Sequence, residues 1–272
     1  MRPLIETLRD PACYPHPVER VEVIETHISW VLLAGAYAYK VKKPVRLPFL
    51  DFSSLAARRR YCEEELRLNR RTAPQLYLEV LPVVRTAQGA AFGGRGEALE
   101  YAVKMHRFAP GALAEQLARG GTLDAEKIDA IAAAVAPFHA AAPRAGAADD
   151  FGTPEQVAAP ALANFDQIAA LRTDARAALE QLRAWTQAEC ARLAASFAAR
   201  RAGGRVRECH GDLHLGNIAF VGARAVPFDC IEFDPALRWI DVASETAFLV
   251  MDLRAHGLAG ASWRLLNAWL QA

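Results

Sequence analysis

Paired cysteines, long apolar runs and a dominant sign of charge are all missing from this chain. The five cysteines, Cys13, Cys62, Cys190, Cys209 and Cys230, are scattered without a CxxC pair, which removes the sequence basis for a zinc site or a disulfide framework. No apolar stretch reaches membrane-spanning length, and Met1 to Asp10 alternates charged with apolar side chains instead of forming a signal-peptide core. A cytoplasmic protein with no membrane partner is therefore expected. Lys and Arg number 32 against 31 Asp and Glu, a net charge of +1, so no global field draws the chain to nucleic acid. No Walker A motif occurs either. Gly93-Gly-Arg-Gly96 lacks the GK[ST] ending and reads as a hairpin turn.

With 272 residues, 53% of them hydrophobic and 23% charged, the chain has ample length for one large domain or two lobes around a buried core. One stretch puts polar groups where folds usually place apolar ones: Glu208-Cys-His-Gly-Asp-Leu-His-Leu-Gly-Asn-Ile-Ala-Phe-Val221, followed by Val226-Pro-Phe-Asp-Cys-Ile-Glu-Phe-Asp234. Ile218 to Val221 and Val226 to Phe228 are apolar and β-prone, and Gly222 to Ala225 forms a turn between them, which predicts a hairpin. Such a hairpin holds Asn217 just before one strand and Asp229 just after the other, at the same end. Asp212 lies on the loop leading in. His210, Asp212 and Asn217 thus have the H-x-D-x-x-x-x-N spacing of a kinase catalytic loop, with Asp229 in the place of the later metal-binding Asp. Phosphoryl transfer asks for a carboxylate to accept a hydroxyl proton and for oxygen ligands that hold Mg²⁺ on the phosphates. Asp212 is the candidate base, and Asn217 and Asp229 are the candidate metal ligands. A polar turn with capping side chains explains one such residue, but poorly explains three at this spacing.

His210-Gly-Asp-Leu-His-Leu-Gly-Asn217 resembles the catalytic loop of the aminoglycoside phosphotransferase and choline kinase-like enzymes, in which Gly replaces the Arg of protein kinases. The resemblance extends over nearly the whole chain from Val21 onward, and it is greatest to a bacterial branch often fused to a C-terminal P-loop ATPase-like domain, of which this sequence shows no trace. It implies an α+β, bilobal protein kinase-like fold. Residues 1–108 would form a small antiparallel sheet with one helix, and residues 109–272 a mainly helical lobe; the family normally continues with further helices, so either this is a shortened form or those helices come from elsewhere. It also implies ATP and Mg²⁺ as cofactors and a hydroxyl of a small molecule as acceptor. A second reading, from a different class, is a nucleotide-binding regulatory module without catalysis.

Local patterns place the remaining candidates. Val21 to Leu33 is rich in β-branched residues, Ala34 to Ala36 is a turn, and Tyr37 to Lys43 alternates up to Pro44, which predicts strands of a small antiparallel sheet. The period of two puts Ala38, Lys40 and Lys42 on one face. Ala-x-Lys is the arrangement of the kinase lysine strand, so Lys40 is the phosphate-binding candidate and Lys42 the fallback; the competing reading is an edge strand guarded by lysines. Asp51 to Arg71 reads as a helix N-capped by Ser53 or Ser54. By resemblance to the pattern Glu-x-x-Leu-Asn, Glu65-Leu-Arg-Leu-Asn69 makes Glu65 the partner that holds the lysine, with Glu64 next. Thr26 to Ser29 takes the place of a glycine-rich loop. Glu100 to Phe108 reads as a strand, and the resemblance makes residues 104 to 108, with Met105 and Arg107, the adenine-contacting hinge. Leu113 to Ala142 is helical, with Thr122 as an N-cap and His139 in packing or capping; residues 143 to 160 form a loop, and two helices carrying Leu171, Leu182 and Trp185 extend to about Arg201. In the family these helices shape the acceptor pocket. Asp241 is expected to brace the catalytic loop or to cap a helix, and Glu232 or Asp234 to add a metal contact.

Overall fold

The structure, a computed structural model, describes residues 1–87, 89–146 and 148–272. A short helix α1 (Arg2–Thr7) leads to strands β1 (Val21–Glu25), β2 (Ser29–Ala34) and β3 (Tyr37–Lys42), then to a small ladder of β4 (Arg46–Leu47) with β5 (Leu50–Asp51). The run from Val21 to Leu33 divides in two because Thr26 turns the chain: its N–H donates to the Ser29 carbonyl at 2.9 Å, and its hydroxyl accepts from the Ser29 N–H at 3.0 Å. Helix α2 (Leu55–Asn69) follows, N-capped by Ser54, whose hydroxyl accepts from the Ala57 N–H. Strands β6 (Tyr77–Thr86), β7 (Gly89–Phe92) and β8 (Ala98–His106) complete a sheet of order β1-β2-β3-β8-β6-β7 in which every pairing is antiparallel.

The alternation of β3 decides what each face of this sheet carries. Tyr39 and Val41 enter a core with Trp30, Leu32, Val83 and Phe92, closed by Ile5 and Leu8 from the α1 segment. Burying a side chain such as Leu32 stabilises by roughly 2 kcal/mol, so that face holds itself together. Lys40 and Lys42 point the other way, toward α2, where burial favours the fold only if the charges are paired.

The helical part contains α3 (Ala114–Arg119), α4 (Ala125–Ala141), α5 (Pro154–Leu171), α6 (Arg176–Ala202), β9 (Val206–Glu208), the hairpin β10 (Ile218–Val221) and β11 (Arg224–Pro227), α7 (Pro235–Arg238), β12 (Trp239–Asp241), α8 (Val242–Ala255) and α9 (Ala259–Gln271). Ile128, Ile131 and Val135 of α4 pack with Leu249 and Leu253 of α8 and Leu265 of α9 around Leu213, Leu215 and Ile218. The chain on either side of Asn217 is thereby anchored in a core. Among the described residues, no helix is long and apolar enough to cross a membrane.

Two local expectations change. Asp124, not Thr122, caps α4: its carboxylate accepts from the Lys127 N–H at 3.0 Å, while the Thr122 hydroxyl donates to the Leu117 carbonyl. The loop after α4 ends at Thr153, which caps α5, so Pro154 opens that helix and Pro160 lies inside it. Proline is favoured in the first helical turn, where its missing N–H has no partner to lose. Helices α5 and α6 pack on one another but bury no residue fully, and Leu171, Leu182 and Trp185 are exposed.

An arginine network ties α2 to the helical part. Arg238, almost fully buried, donates to Glu64 at 2.8 Å and to Glu208 at 3.2 Å, and Arg67 donates to the same two carboxylates. Burial pushes the Glu208 carboxyl up, but Arg67, Arg71 and Arg238 outweigh it and hold it below its usual 4.5. A depressed folded value means that the stabilisation is complete above pH 4.5 and drains away as pH falls through the folded value. Glu208→Gln should therefore cost about 3 kcal/mol of unfolding free energy at pH 7, and urea titrations should show the gap to wild type narrowing as the pH is lowered toward 3. A gap independent of pH would show that the ion pairs are not its source.

Candidate active site

Asp212 lies in the loop between β9 and β10. Its backbone carbonyl and its Oδ2 both accept from Asn217 Nδ2, at 2.9 and 3.1 Å, and the Asn217 carbonyl accepts from the Phe228 N–H at 2.9 Å. The hairpin register pairs Ile218 with Pro227, so Asn217 and Asp229 emerge at one end; β11 begins at Arg224, which makes the turn shorter than the sequence suggests. Buried His210 stitches the two segments together. Its Nε2 donates to the Phe228 carbonyl at 2.8 Å, its Nδ1 accepts from the Asp212 N–H at 3.3 Å, and its carbonyl accepts from the Ile231 N–H. Gly211 has φ +89, and a Cβ there would stand 3.0 Å from the Leu237 carbonyl oxygen. Only glycine makes this turn without strain.

Asp229 is the one non-glycine residue with positive φ among the described residues, at 66°. Such a backbone costs of order 1 kcal/mol or more and persists only where its surroundings impose it. Here the Asp229 N–H donates to Tyr77 Oη at 3.1 Å and the next N–H, of Cys230, donates to Asn69 Oδ1 at 2.9 Å. Two side chains from β6 and α2 thus aim this carboxylate.

It meets the lysine strand. Lys40 Nζ donates to Asp229 Oδ1 and stands 2.9 Å from Glu65 Oε1, while Lys42 Nζ donates to Glu65 Oε2 at 2.6 Å and to Glu232. Glu65 is completely buried, and Lys42 with it. Burial works against the Lys40 charge, but Asp229, Glu65 and Glu232 overcome it and raise the ammonium well above its usual value. Burial likewise pushes the Asp229 carboxyl up, and Lys40 beside it holds it below the ordinary range. Glu64 faces away, bonded to Arg67 and Arg238, and Glu63 pairs with Arg59. Asp234 caps α7. Glu232 lines the same cleft as Asp229, with its Oε1 on Lys42, so of the two supplementary metal candidates it alone faces the site.

Asp212 has its own partner in His214. The ring Nδ1 accepts from the Gly216 N–H at 3.1 Å, which leaves Nε2 facing Asp212 Oδ2 at 3.6 Å. Burial pushes the Asp212 carboxyl up, yet His214 and the Asn217 amide hold it below its usual value. It is ionised at neutral pH.

Lys40, Asp212, Asn217 and Asp229 all line one cleft of about 1140 Å³, together with Thr26, His27 and Ile28 of the β1–β2 turn. Its apolar walls include Val31, Ala38, Leu76, Met105, Phe108 and Phe228, and Arg107 is among the residues that line it. In the expected hinge the His106 and Arg107 N–H groups are already bonded to the Leu76 and Ala36 carbonyls. No residue of α5 or α6 lines this cleft, contrary to the role expected of those helices. Asn217 Oδ1, which has no hydrogen bond among the described residues, and the Asp229 carboxylate are hard oxygen donors of the kind Mg²⁺ prefers.

A family model described as a phosphotransferase enzyme family matches residues 37–268, a span that includes every one of these charged groups. The chain belongs to the phosphotransferase enzyme family. Uncharacterised proteins of Mycobacterium tuberculosis and Mycobacterium bovis are each 32% identical to it, the match taking in 91% of this chain and 49% of theirs. The chain thus spans about half the length of these relatives. A choline/ethanolamine kinase family protein from Mesorhizobium loti, solved by crystallography, shares the fold with a TM-score of 0.50 at 14% identity, over 100% of this chain and 76% of that one. The architecture is α+β and kinase-like.

One part of this phosphotransferase-family site left no mark in the sequence. Glu245 Oε1 accepts from the His210 and Gly211 N–H groups, both at 2.7 Å, and its Oε2 accepts from His139 Nε2 at 2.7 Å. Trp269 Nε1 donates to His139 Nδ1 at 3.0 Å, which fixes the neutral tautomer. Of the two roles expected for Asp241 the structure shows the helix cap, through the Ala243 N–H, together with a pair to Arg200, and the brace falls to Glu245. Glu245 sits one helical turn further on, on the side of α8 that faces the loop. Cys209 approaches His139 and Glu245 closely enough to suggest three metal ligands, but its thiol donates to the Ile240 carbonyl and both His139 ring nitrogens are engaged, by Glu245 and by Trp269. The cluster is a hydrogen-bonded support. Glu245→Gln places an amide N–H against His139 Nε2–H or against the two loop N–H groups, and urea unfolding at pH 7 should register a loss of about 2 kcal/mol; an unchanged midpoint would show that the loop does not need this brace.

Proposed function

We propose that the chain is a small-molecule kinase that moves the γ-phosphoryl group of ATP, with Mg²⁺, onto a hydroxyl. The observation that carries this reading is the convergence of Lys40, Asp212, Asn217 and Asp229 on one cleft whose other walls are apolar. Residues 1–108 serve as the nucleotide lobe and 109–272 as the catalytic lobe. The purine lies against Ala38, Met105 and Phe228. Since the His106 and Arg107 N–H groups are committed to the sheet, Phe108 is the hinge residue whose N–H is left for the base.

Lys40 turns its ammonium to the α- and β-phosphates, backed by Glu65. Asn217 Oδ1 and Asp229 would hold Mg²⁺, which would supply positive charge to the phosphates. Asp212 receives the proton of the acceptor hydroxyl, while Asn217 Nδ2 and His214 keep its carboxylate in place and ionised.

Calorimetric titration with ATP tests the reading directly. Wild type should bind ATP in a Mg²⁺-dependent manner and Asp229→Ala should lose that dependence; no binding by the wild type would sink the proposal. Against a panel of hydroxyl acceptors, Asp212→Ala should keep its affinity for ATP while turnover falls by about 10² to 10⁴. Unchanged turnover would remove the base. ATP binding with no product from any acceptor is what a regulatory module would give.

A further inference from the structure

Lys42 and Glu232 have no part in the steps above, yet they occupy the centre of the charged cluster. Lys42 has no exposed surface and Glu232 is 3% exposed. A buried ion pair is poor value for stability alone, because desolvation offsets most of the attraction and apolar residues of similar volume often do better. Their geometry suggests a different use. Lys42 holds Glu65 Oε2 by a 2.6 Å hydrogen bond. The other oxygen, Oε1, has the Lys40 ammonium 2.9 Å away but receives no hydrogen bond among the described residues; Lys40 directs its N–H at Asp229 instead. Glu65 is gripped by one lysine and only faced by the other.

On its far side Lys42 reaches Glu232, three residues beyond Asp229. The Glu232 carbonyl accepts from Arg238 at 3.3 Å, and Arg238 returns to α2 through Glu64, the neighbour of Glu65. Strand β3, helix α2 and the segment after Asp229 are thereby joined in one closed ring of polar contacts.

We propose that Lys42 and Glu232 are positioning residues for phosphate binding: they fix Glu65 and the Asp229 segment in one frame, so that Lys40 can turn to phosphate without being captured by Glu65. This rests on the proposed use of ATP. Without Lys42, the Glu65 carboxylate has Lys40 as its sole cation and draws its N–H groups away from the cleft. The loss then falls on phosphate recognition and spares the base pocket.

The test is calorimetry in Mg²⁺ with ATP and with adenosine, on wild type, Lys40→Met, Lys42→Met, Glu232→Gln and the double variant Lys42→Met/Glu232→Gln. Lys42→Met should weaken ATP about tenfold or more, in line with a lost charge-assisted hydrogen bond, and leave adenosine within about twofold of wild type. Glu232→Gln, which is isosteric, should show a smaller loss with the same selectivity. The double variant removes one charge of each sign, and it decides the matter if Lys42→Met alone does not fold. A purely structural role would weaken adenosine together with ATP. Wild-type ATP affinity in Lys42→Met or in the double variant overturns the inference, and if Lys40→Met is weakened at the same time the kinase reading stands without it. If wild type binds ATP no better than adenosine, both fall.

Discussion

A carboxylate with no exposed surface favours the fold only while cations stand beside it, and Glu65 is that carboxylate here. Moving an unpaired ion into the interior costs several kcal/mol, comparable with everything that two or three buried leucines contribute. The pairing with Lys40 and Lys42 therefore determines how α2 sits on the sheet. It determines the opposite face of β3 as well, because the same alternation that turns both lysines to Glu65 sends Tyr39 and Val41 into the core with Trp30 and Leu32. A one-residue slip of β3 would put two charges into that core and two apolar side chains against Glu65.

The second constraint lies in the backbone of Asp229. A left-handed residue is held there by Tyr77 and Asn69, which belong to the sheet and to α2, while the carboxylate it presents faces the loop that carries Asp212. The cost of the conformation is met by groups whose own positions depend on the Glu65 cluster. Glu245 performs the corresponding service for Asp212 from below, by gathering the His210 and Gly211 N–H groups. Both acidic groups are thus fixed before any ligand arrives, which is the condition under which positioning contributes most to phosphoryl transfer.

What could be read from the sequence was what short-range periodicity and spacing encode. The faces of β3, the Ser54 cap of α2 and the hairpin after Asn217 each depend on residues within a few positions of one another. Misreadings arose where two local signals compete or where the partner is remote. Thr122 and Asp124 both suit an N-cap, and only the register of α4 decides between them. Asp241 and Glu245 both lie near the start of α8, but His210 and His139, the groups that select Glu245, are 35 and 106 residues away. The stripe of Leu171, Leu182 and Trp185 shows helical spacing and yet is exposed, because periodicity indicates a helix without saying what, if anything, covers it. The ring through Lys42, Glu232 and Arg238 had no local signature, since each residue taken singly is an ordinary charge in a charged stretch.

Charge counting connects the cluster to the chemistry proposed for it. Glu65, Asp229, Glu232 and nearby Asp212 set four carboxylates against three cations, the ammonium groups of Lys40 and Lys42 and the guanidinium of cleft-lining Arg107. A polyphosphate approaching this excess of negative charge is repelled unless cations accompany it, the more so in a cleft of low dielectric. Within the cluster the demand is sharper. Lys40 is the nearest cation to Asp229 and the principal reason its carboxyl is depressed despite burial. If the ammonium turns to the phosphates, Asp229, whose side chain is 39% exposed on the cleft, loses its ion pair and faces the phosphates with its charge uncompensated. Something positive must take the place of Lys40 as it leaves. On this account nucleotide and divalent cation are coupled by the protein's own charge balance, and the coupling is independent of which hydroxyl receives the phosphoryl group.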